Sequence, residues 1–417
     1  MDNKKKARVL VVDDSALIRE ITRESDTLKL AGTAEDGRAA LSQIELLRPD
    51  VVTLDIQMPR MDGLETLDEI LKRDPIPVIM VSALAKRAAD VTLQALDRGA
   101  LDYVAKPDNV GTDLEELRSQ LLRKIRTAAS TDVKRVLSIR KARQARRATA
   151  RKEVRDTKTE ADNGSQEYTN CCITIGISTG GPPALTGFLE TLRPPMPPIV
   201  IVQHMPQHFT APFAERLNSV SQLDVKEAAH GDVLKVSQVF VAQGGTHLKL
   251  KRIGKSVRVQ VRAGGDPVSG HMPSADVMMQ CAADVFGERS LGVIMTGMGR
   301  EGADGCGHIK TAGGYVLGQN QATSDVYGMN KVAFQEGYVD RQFPLDDAAK
   351  MSDCRCGECF APARLPFAET DVHRCSMTRC CERCHCPTGT GRCQYWRRFR
   401  QAVAGKRDMP VRSAGHS

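Results

Sequence analysis

Residues 51–63 read Val-Val-Thr-Leu-Asp-Ile-Gln-Met-Pro-Arg-Met-Asp-Gly, a short β-rich run closed by Asp55 and followed by a turn. Val51–Leu54 reads as a strand, and comparable runs flank it at Arg8–Val12, Leu28–Thr33, Val78–Val81 and Tyr103–Ala105. Amphipathic stretches such as Gly37–Leu47 and Asp90–Arg98 lie between them. Alternation of this kind over residues 7–107 predicts five βα units and a parallel sheet covered on both faces.

Functional groups in open α/β sheets gather at the carboxyl ends of the strands. Those ends carry Asp13 and Asp14, Asp55, Ser82 and Lys106. Three converging carboxylates repel one another unless a cation sits among them, and a hard ion such as Mg²⁺ suits oxygen ligands. Lys106 adds a fixed positive charge, and Ser82 a hydroxyl for a phosphoryl oxygen. Such a pocket suits an aspartate that accepts a phosphoryl group while metal and lysine neutralise charge. Taken singly, each residue reads more readily as a polar strand end or a helix cap; it is all five at successive strand ends that points to a pocket.

The phrase Leu54–Gly63, with Val12-Asp13-Asp14-Ser15 and Ala105-Lys106-Pro107, resembles the phosphorylation loop and pocket of two-component receiver domains. The resemblance covers residues 7–107. It implies a flavodoxin-like five-stranded parallel sheet and phosphorylation at Asp55. It further implies Asp13, Asp14 and Asp55 around Mg²⁺, and Tyr103 as the ring that reports phosphorylation. A shortened stretch after Arg19 departs from the pattern and bears on the length of the first helix.

A second alternation begins at Cys171. Strands are expected at Ile173–Ile177, Ile199–Gln203, Val239–Ala242, Leu291–Thr296 and Tyr315–Gly318, with a hairpin over Leu248–Val261. Helices are expected at Pro183–Leu192, Ala211–Ser219, Ser274–Phe286, Ala303–Thr311 and Val326–Gly337. Gly176-Ile177-Ser178-Thr179-Gly180-Gly181 joins a strand to a helix, the context of a G-x-S-x-G elbow that exposes a serine hydroxyl. Backbone amides at the helix start, beginning with Thr179, can stabilise an oxyanion. Taken alone, the same turn fits a phosphate cradle.

A nucleophile needs a base and an acid to orient it. His204, in Gln203-His204-Met205-Pro206, stands at a strand's carboxyl end; His208, His230, His247 and His308 read as ordinary surface histidines. Glu301 follows the glycine-rich turn Thr296-Gly297-Met298-Gly299-Arg300. The order Ser, His, acid differs from that of α/β-hydrolases.

These segments, with Ala242-Gln243-Gly244-Gly245 and His271-Met272-Pro273-Ser274-Ala275-Asp276, resemble the catalytic domain of chemotaxis receptor methylesterases from about Ile173 to Asp347. The resemblance implies a doubly wound α/β domain that hydrolyses glutamyl methyl esters on chemoreceptors and deamidates certain receptor glutamines. It implies Ser178 as nucleophile, His204 as proton carrier and the Met298 amide at the oxyanion. It also implies chemoreceptors as substrate, a chemotaxis histidine kinase as phosphodonor, no cofactor for the esterase chemistry, and a receiver that covers the cleft until phosphorylated. The family pattern has Asp where this chain has Glu301, one methylene longer, and Asp304 is the fallback partner of His204.

The expected boundaries are 1–125 for the receiver, 126–168 for a basic linker, 169–352 for the catalytic domain and 353–417 for an extension. Of the 417 residues, 41% are hydrophobic and 26% charged, which excludes a wholly disordered chain. No apolar stretch is long enough to span a membrane, and no signal-peptide pattern appears, so a cytoplasmic location is expected. The net charge of +8 hides an uneven distribution. Residues 123–152 carry 12 bases against one acid, and 354–417 carry 12 against 5, leaving the folded parts acidic. The basic balance therefore describes a linker and a tail rather than a nucleic-acid-binding domain. The linker reads as a solvated tether, or as a contact to an anionic receptor or membrane surface; otherwise membrane contact is expected only through receptors. Nine of 13 Cys lie between Cys354 and Cys393. Cys354, Cys356, Cys359, Cys381 and Cys384 could ligate Zn²⁺, though not in paired Cys-x-x-Cys spacing; the alternative is an extension without metal. Two rivals remain at this stage: a response regulator whose output is binding, without a helix-turn-helix to support it, and a slow enzyme that acts as a receptor-binding module.

Overall fold

The structure is a computed structural model that describes residues 6–13, 17–83, 86–106, 110–153, 168 and 170–347; the side chains of 86, 87, 110–113, 147–153 and 263 lie outside that description. Asp14 and the tail cysteines therefore lie outside the described residues.

The first sheet is built from β1 (Ala7–Val12), β2 (Leu28–Ala34), β3 (Val51–Asp55), β4 (Val78–Ala83) and β5 (Asp102–Lys106). All pairings are parallel, in the order β2-β1-β3-β4-β5. The expected strands and the flavodoxin-like order are both observed. Buried aliphatics, Val9–Val12, Val51, Val52 and Leu54 among them, face helices on both sides. The intervening helices are α1 (Leu17–Arg23), α2 (Gly37–Leu47), α3 (Gly63–Arg73) and α4 (Lys86–Arg98). At α3, Asp62 caps the helix by accepting from Glu65 N–H at 2.8 Å, and Gly63 is needed because a Cβ there would overlap the carbonyl of Asp55. The Asp-Gly pair thus lets α3 start directly against the strand end that carries Asp55.

Residues 126–153 depart from the expected tether. A helix α5 (Val110–Ala129) is followed by a turn and a second helix, α6 (Val133–Glu153). Lys, Arg and Ala favour a helix, but the packing decides. Val133 and Val136 are buried, and so is Arg143, whose guanidinium donates to the Thr323 carbonyl at 3.1 Å. Net charge hid this face because its arginines find carbonyls and carboxylates.

The second sheet contains β6 (Cys172–Ile177), β7 (Ile199–Gln203), β8 (Asp224–Glu227), β9 (Gln238–Val241), β12 (Ser290–Ile294), β13 (Tyr315–Gln319) and β14 (Arg341–Phe343). Its order is β14-β13-β12-β6-β7-β9-β8, parallel throughout. The hairpin β10 (Thr246–Ile253) with β11 (Ser256–Ala263) forms a separate antiparallel pair, as expected. The short edge strands β8 and β14 have no counterpart in the sequence reading, being too brief and polar to give a signal. Helices α7 (Gly181–Thr191), α8 (Gln207–Val220), α9 (Ala275–Phe286), α10 (Ala303–Thr311) and α11 (Met329–Gln335) complete the domain.

The topology places the chemistry. Strand β6 lies between β12 and β7, so the order reverses there and the loops after all three strands emerge together. One apolar core continues from receiver residues Leu93, Leu96 and Tyr103 into Phe209 and Phe213 of α8. Tyr103 stacks on Phe209 with ring centroids 4.8 Å apart.

Candidate active site

Backbone hydrogen bonds tie the three loops to one another. Ser178 N–H donates to Thr296 O at 3.0 Å, and His204 N–H donates to Ile177 O at 3.2 Å. Gln203 Nε2 donates to the Ser178 carbonyl at 3.1 Å, and a Cβ on Gly181 would overlap its Oε1. The elbow turns through Gly180, at φ +79, into the start of α7. Gly244, from the Gln-Gly-Gly turn, packs against the backbone of Met205 and Pro206 and supports the His204 loop from below.

Glu301 is almost fully buried and its carboxylate takes three hydrogen bonds. His204 Nε2 lies 2.9 Å from Oε2; Ser274 Oγ donates to Oε1 at 2.6 Å, and Asp276 N–H donates to the same atom at 3.0 Å. Burial pushes its pKa up, but the bonds from His204, Ser274 and Asp276 outweigh it and hold the carboxyl below its ordinary range. The extra methylene is therefore accommodated at hydrogen-bond distance. Asp304 is occupied elsewhere, paired with Arg300 at 2.7 and 2.9 Å. With Nε2 committed to Glu301, the buried His204 Nδ1 has no hydrogen-bond partner among the described residues.

Ser178 is half-buried beside the 296–302 turn: a Cβ on Gly297 would come within 2.9 Å of the Ser178 Cβ and would overlap Met329 Sδ. Among the described residues, the N–H groups of Thr179 and Met298 make no hydrogen bond. They are the two amides singled out in the sequence as oxyanion donors.

His271 is the residue the sequence reading did not assign. Its ring lies on that of His204, centroids 3.8 Å apart and planes 10° from parallel. His271 Nε2 faces Arg123 Nη1 of α5 at 2.9 Å. Burial, then the neighbouring His204, Arg123 and Lys124, pushes its pKa down to about 2. The signal was present in the quoted His-Met-Pro-Ser segment, but nothing in spacing could show that its ring reaches His204. His247 departs from the surface assignment: it is buried on β10, with Nε2 3.2 Å from the Asp266 carbonyl.

Two sequence families account for the two sheets. Residues 173–351 match the family described as CheB methylesterase, and residues 9–121 match the response regulator receiver domain. The protein-glutamate methylesterase/protein-glutamine glutaminase of Sulfurimonas denitrificans is 39% identical over 345 residues, covering 82% of this chain and 96% of that one. The protein of the same description from Pyrococcus horikoshii is 42% identical over 353 residues, covering 82% and 91%. A crystal structure of the Thermotoga maritima CheB methylesterase catalytic domain shares 37% identity, covering 44% of this chain and 96% of that one, with a TM-score of 0.43. The chain belongs to the CheB methylesterase family. It is a response-regulator methylesterase, a hydrolase with an N-terminal receiver.

The receiver pocket is compact. Lys106 Nζ lies 2.6 Å from Asp55 Oδ2 and 3.1 Å from Asp13 Oδ2, with both carboxylates buried. Burial raises the Asp55 pKa, against the opposing pull of Lys106, and Asp13 adds to the rise. Crowded oxygen donors of this kind fit a hard divalent cation, which receiver domains typically bind. Among the described residues no group of three or more such side chains is assembled; Asp14 is not among them. Ser82 is buried and engaged with Thr92 Oγ1 at 2.8 Å and the Ala83 carbonyl at 3.2 Å. The Tyr103 hydroxyl is buried without a partner among the described residues.

Receiver side chains reach the catalytic loops directly. Thr179 Oγ1 donates to Asp102 Oδ2, Arg123 meets His271, and Thr127 touches Met298 Sδ. Arg140 of α6 donates to Asp325 Oδ2 at 2.9 Å and to the receiver carbonyls of Leu96 and Ala100. Asp325 in turn packs against Gly180 of the elbow. No helix among the described residues is long and apolar enough to cross a membrane.

Proposed function

We propose that this methylesterase acts on glutamyl methyl esters of chemoreceptors, releasing methanol, and deamidates particular receptor glutamines, by a Ser178 nucleophile. His204 takes the serine proton and returns it to the leaving group, and Glu301 holds the imidazole in its working tautomer. The observation that carries this reading is the buried His204–Glu301 hydrogen bond at the sheet's switch point, beside Ser178. The amides of Thr179 and Met298 serve the oxyanion, whose negative charge builds as Ser178 Oγ adds to the carbonyl carbon. Water then repeats the sequence on the acyl-enzyme and releases the glutamate side chain.

In the receiver, Asp55 accepts the phosphoryl group from a chemotaxis histidine kinase. Asp13, Asp14 and Asp55 would hold Mg²⁺, which when bound neutralises phosphoryl charge alongside Lys106. Ser82 would turn to the phosphoryl group, and Tyr103 would answer it from its seat on Phe209. In the state described here, Asp102, Arg123 and Thr127 cover Thr179, His271 and Met298, a contact set that supports inhibition by the unphosphorylated receiver. The division we propose keeps the receiver at 1–125 and the catalytic domain at 169–352, although α5 runs on to Ala129; between them α6 touches both through Arg140. The tail zinc carries no proposal, because its cysteines lie outside the described residues.

The test is methanol release from methylated receptor membranes by the native protein and Ser178→Ala, with and without a small phosphodonor. Release that requires Ser178 and rises with the donor upholds the reading. No release by native protein whose Asp55 still becomes phosphorylated overturns it in favour of a phosphorylation-gated binding protein.

A further inference from the structure

One short segment, His271–Asp276, holds both members of the base pair. Ser274 Oγ and the Asp276 amide fix Glu301 Oε1, while the His271 ring lies flat on His204. The segment is itself anchored. His271 and Val268 exchange backbone hydrogen bonds at 2.9 and 3.1 Å, Gly245 N–H donates to Met272 O at 3.1 Å, and Ser274 caps α9 through Val277 N–H.

A single hydrogen bond from Nε2 leaves the imidazole free to swing about its terminal torsion, which is intrinsically broad. Swinging would move Nδ1, the nitrogen left to meet the serine. We propose that His271 is a positioning residue for His204: its ring is the plate that fixes the plane of the base. The inference rests on the esterase reading above and adds a residue to it. His271 does not itself carry the proton, since burial and its cationic neighbours keep it neutral at working pH. Its outer nitrogen points to Arg123 rather than to Glu301. Covering by the receiver therefore loads the plate as well as the entrance.

The experiment uses the full chain with a saturating small phosphodonor, so that the receiver contact does not limit the rate. Native protein, Ser178→Ala, His271→Ala and His271→Phe are compared for kcat and KM of methanol release. The downfield proton resonance of His204 Nε2–H bonded to Glu301 is recorded for each. His271→Ala should lower kcat by on the order of 10- to 100-fold with little change in KM, and broaden the resonance. His271→Phe keeps a flat ring without nitrogen and should stay within about threefold of native, with the resonance retained. Native kcat in His271→Ala, or His271→Phe as slow as His271→Ala, overturns the proposal, the second outcome giving the ring nitrogen a chemical role. A rise in KM alone also overturns it. If His271→Ala fails a thermal melt, the folded His271→Phe protein decides: loss of its resonance overturns the proposal. Should native protein release no methanol, the esterase reading fails while the resonance still judges the positioning.

Discussion

The hydroxyl of Thr179 donates to the carboxylate of Asp102 at 2.5 Å, joining the residue after the nucleophile to the first residue of the receiver's last strand. The same carboxylate takes Lys124 Nζ at 2.8 Å, and Lys124 sits over the Tyr103 ring. A movement of Tyr103 or α5 therefore reaches Thr179 through one buried carboxylate. Hydrogen bonds to charged groups contribute about 1.5–3 kcal/mol each. Asp102→Asn weakens this one without opening a hole. Unstimulated methanol release should rise about threefold to tenfold, with the phosphodonor-stimulated rate little changed. Parallel assays with and without donor check it; an unstimulated rate equal to native would separate this contact from inhibition.

Arg140 makes a second tie. Its side chain and that of Asp325 are 9% and 1% exposed, so removing one partner strands a buried charge. Breaking such a pair costs about 3–5 kcal/mol. Arg140→Ala should lower the unfolding free energy of the full chain, read from a urea titration, by about that amount. It should also raise unstimulated release, because Arg140 ties Asp325, which packs on Gly180, to the receiver carbonyls of Leu96 and Ala100. Arg146→Ala is the contrast: that side chain is 71% exposed, and losing its pair with Asp346 should cost about 0–1 kcal/mol.

Glu301 makes a pH prediction with a definite sign. Its folded carboxyl is held below the ordinary value of 4.5, so it contributes stability that is present above that value and lost as pH falls through the lower folded one. Glu301→Gln removes this dependence, and urea midpoints of the two proteins should converge on acidification below 4.5. The variant also loses the acceptor that orients His204, and kcat should fall by roughly 100- to 10,000-fold. Glu301→Asp keeps the charge but shortens the reach, and should lose on the order of 10- to 100-fold. An active Glu301→Gln protein would make Ser178–His204 a dyad.

Most of this arrangement is legible in the sequence. Apolar runs ending in Asp13, Asp55, Ser178 and His204 gave the strands and their functional edge, because parallel strands bury both faces and leave chemistry only at their ends. What escaped depends on contacts between distant segments. The arginines of α6 read as solvated charge, since sequence carries no sign of the carbonyls and carboxylates that receive them. His271 gave only a motif, with no spacing that links it to a base 67 positions earlier in the chain.

Asp55 is held at a cost. Burial raises its carboxyl above the ordinary 3.8, so the folded state holds the proton more tightly and stability falls as pH rises from there through the folded value. Asp55→Asn removes the ionised group, and its melting temperature at neutral pH should exceed that of native protein, with the gain shrinking below pH 3.8. Response to phosphodonor should vanish in the same variant. A lower melting temperature would mean that the Lys106 bridge outweighs burial.

Gly297 tests the oxyanion side of the site without touching an ionisable group. Its amide is already committed to Val326 O at 3.1 Å, and its carbonyl accepts from Met329 N–H at 2.9 Å. A methyl at this position would overlap Met329 Sδ and press on the Ser178 Cβ. Met329 is unbranched and adaptable, but it is fully buried, so the turn that carries Met298 must give way. Gly297→Ala should cost about 1–3 kcal/mol in stability and, by moving the Met298 amide, roughly 100- to 1,000-fold in kcat with KM little affected. Steady-state methanol release beside a urea titration separates the two effects. A destabilised protein with native kcat would remove the Met298 amide from the oxyanion site and leave Thr179 as its donor.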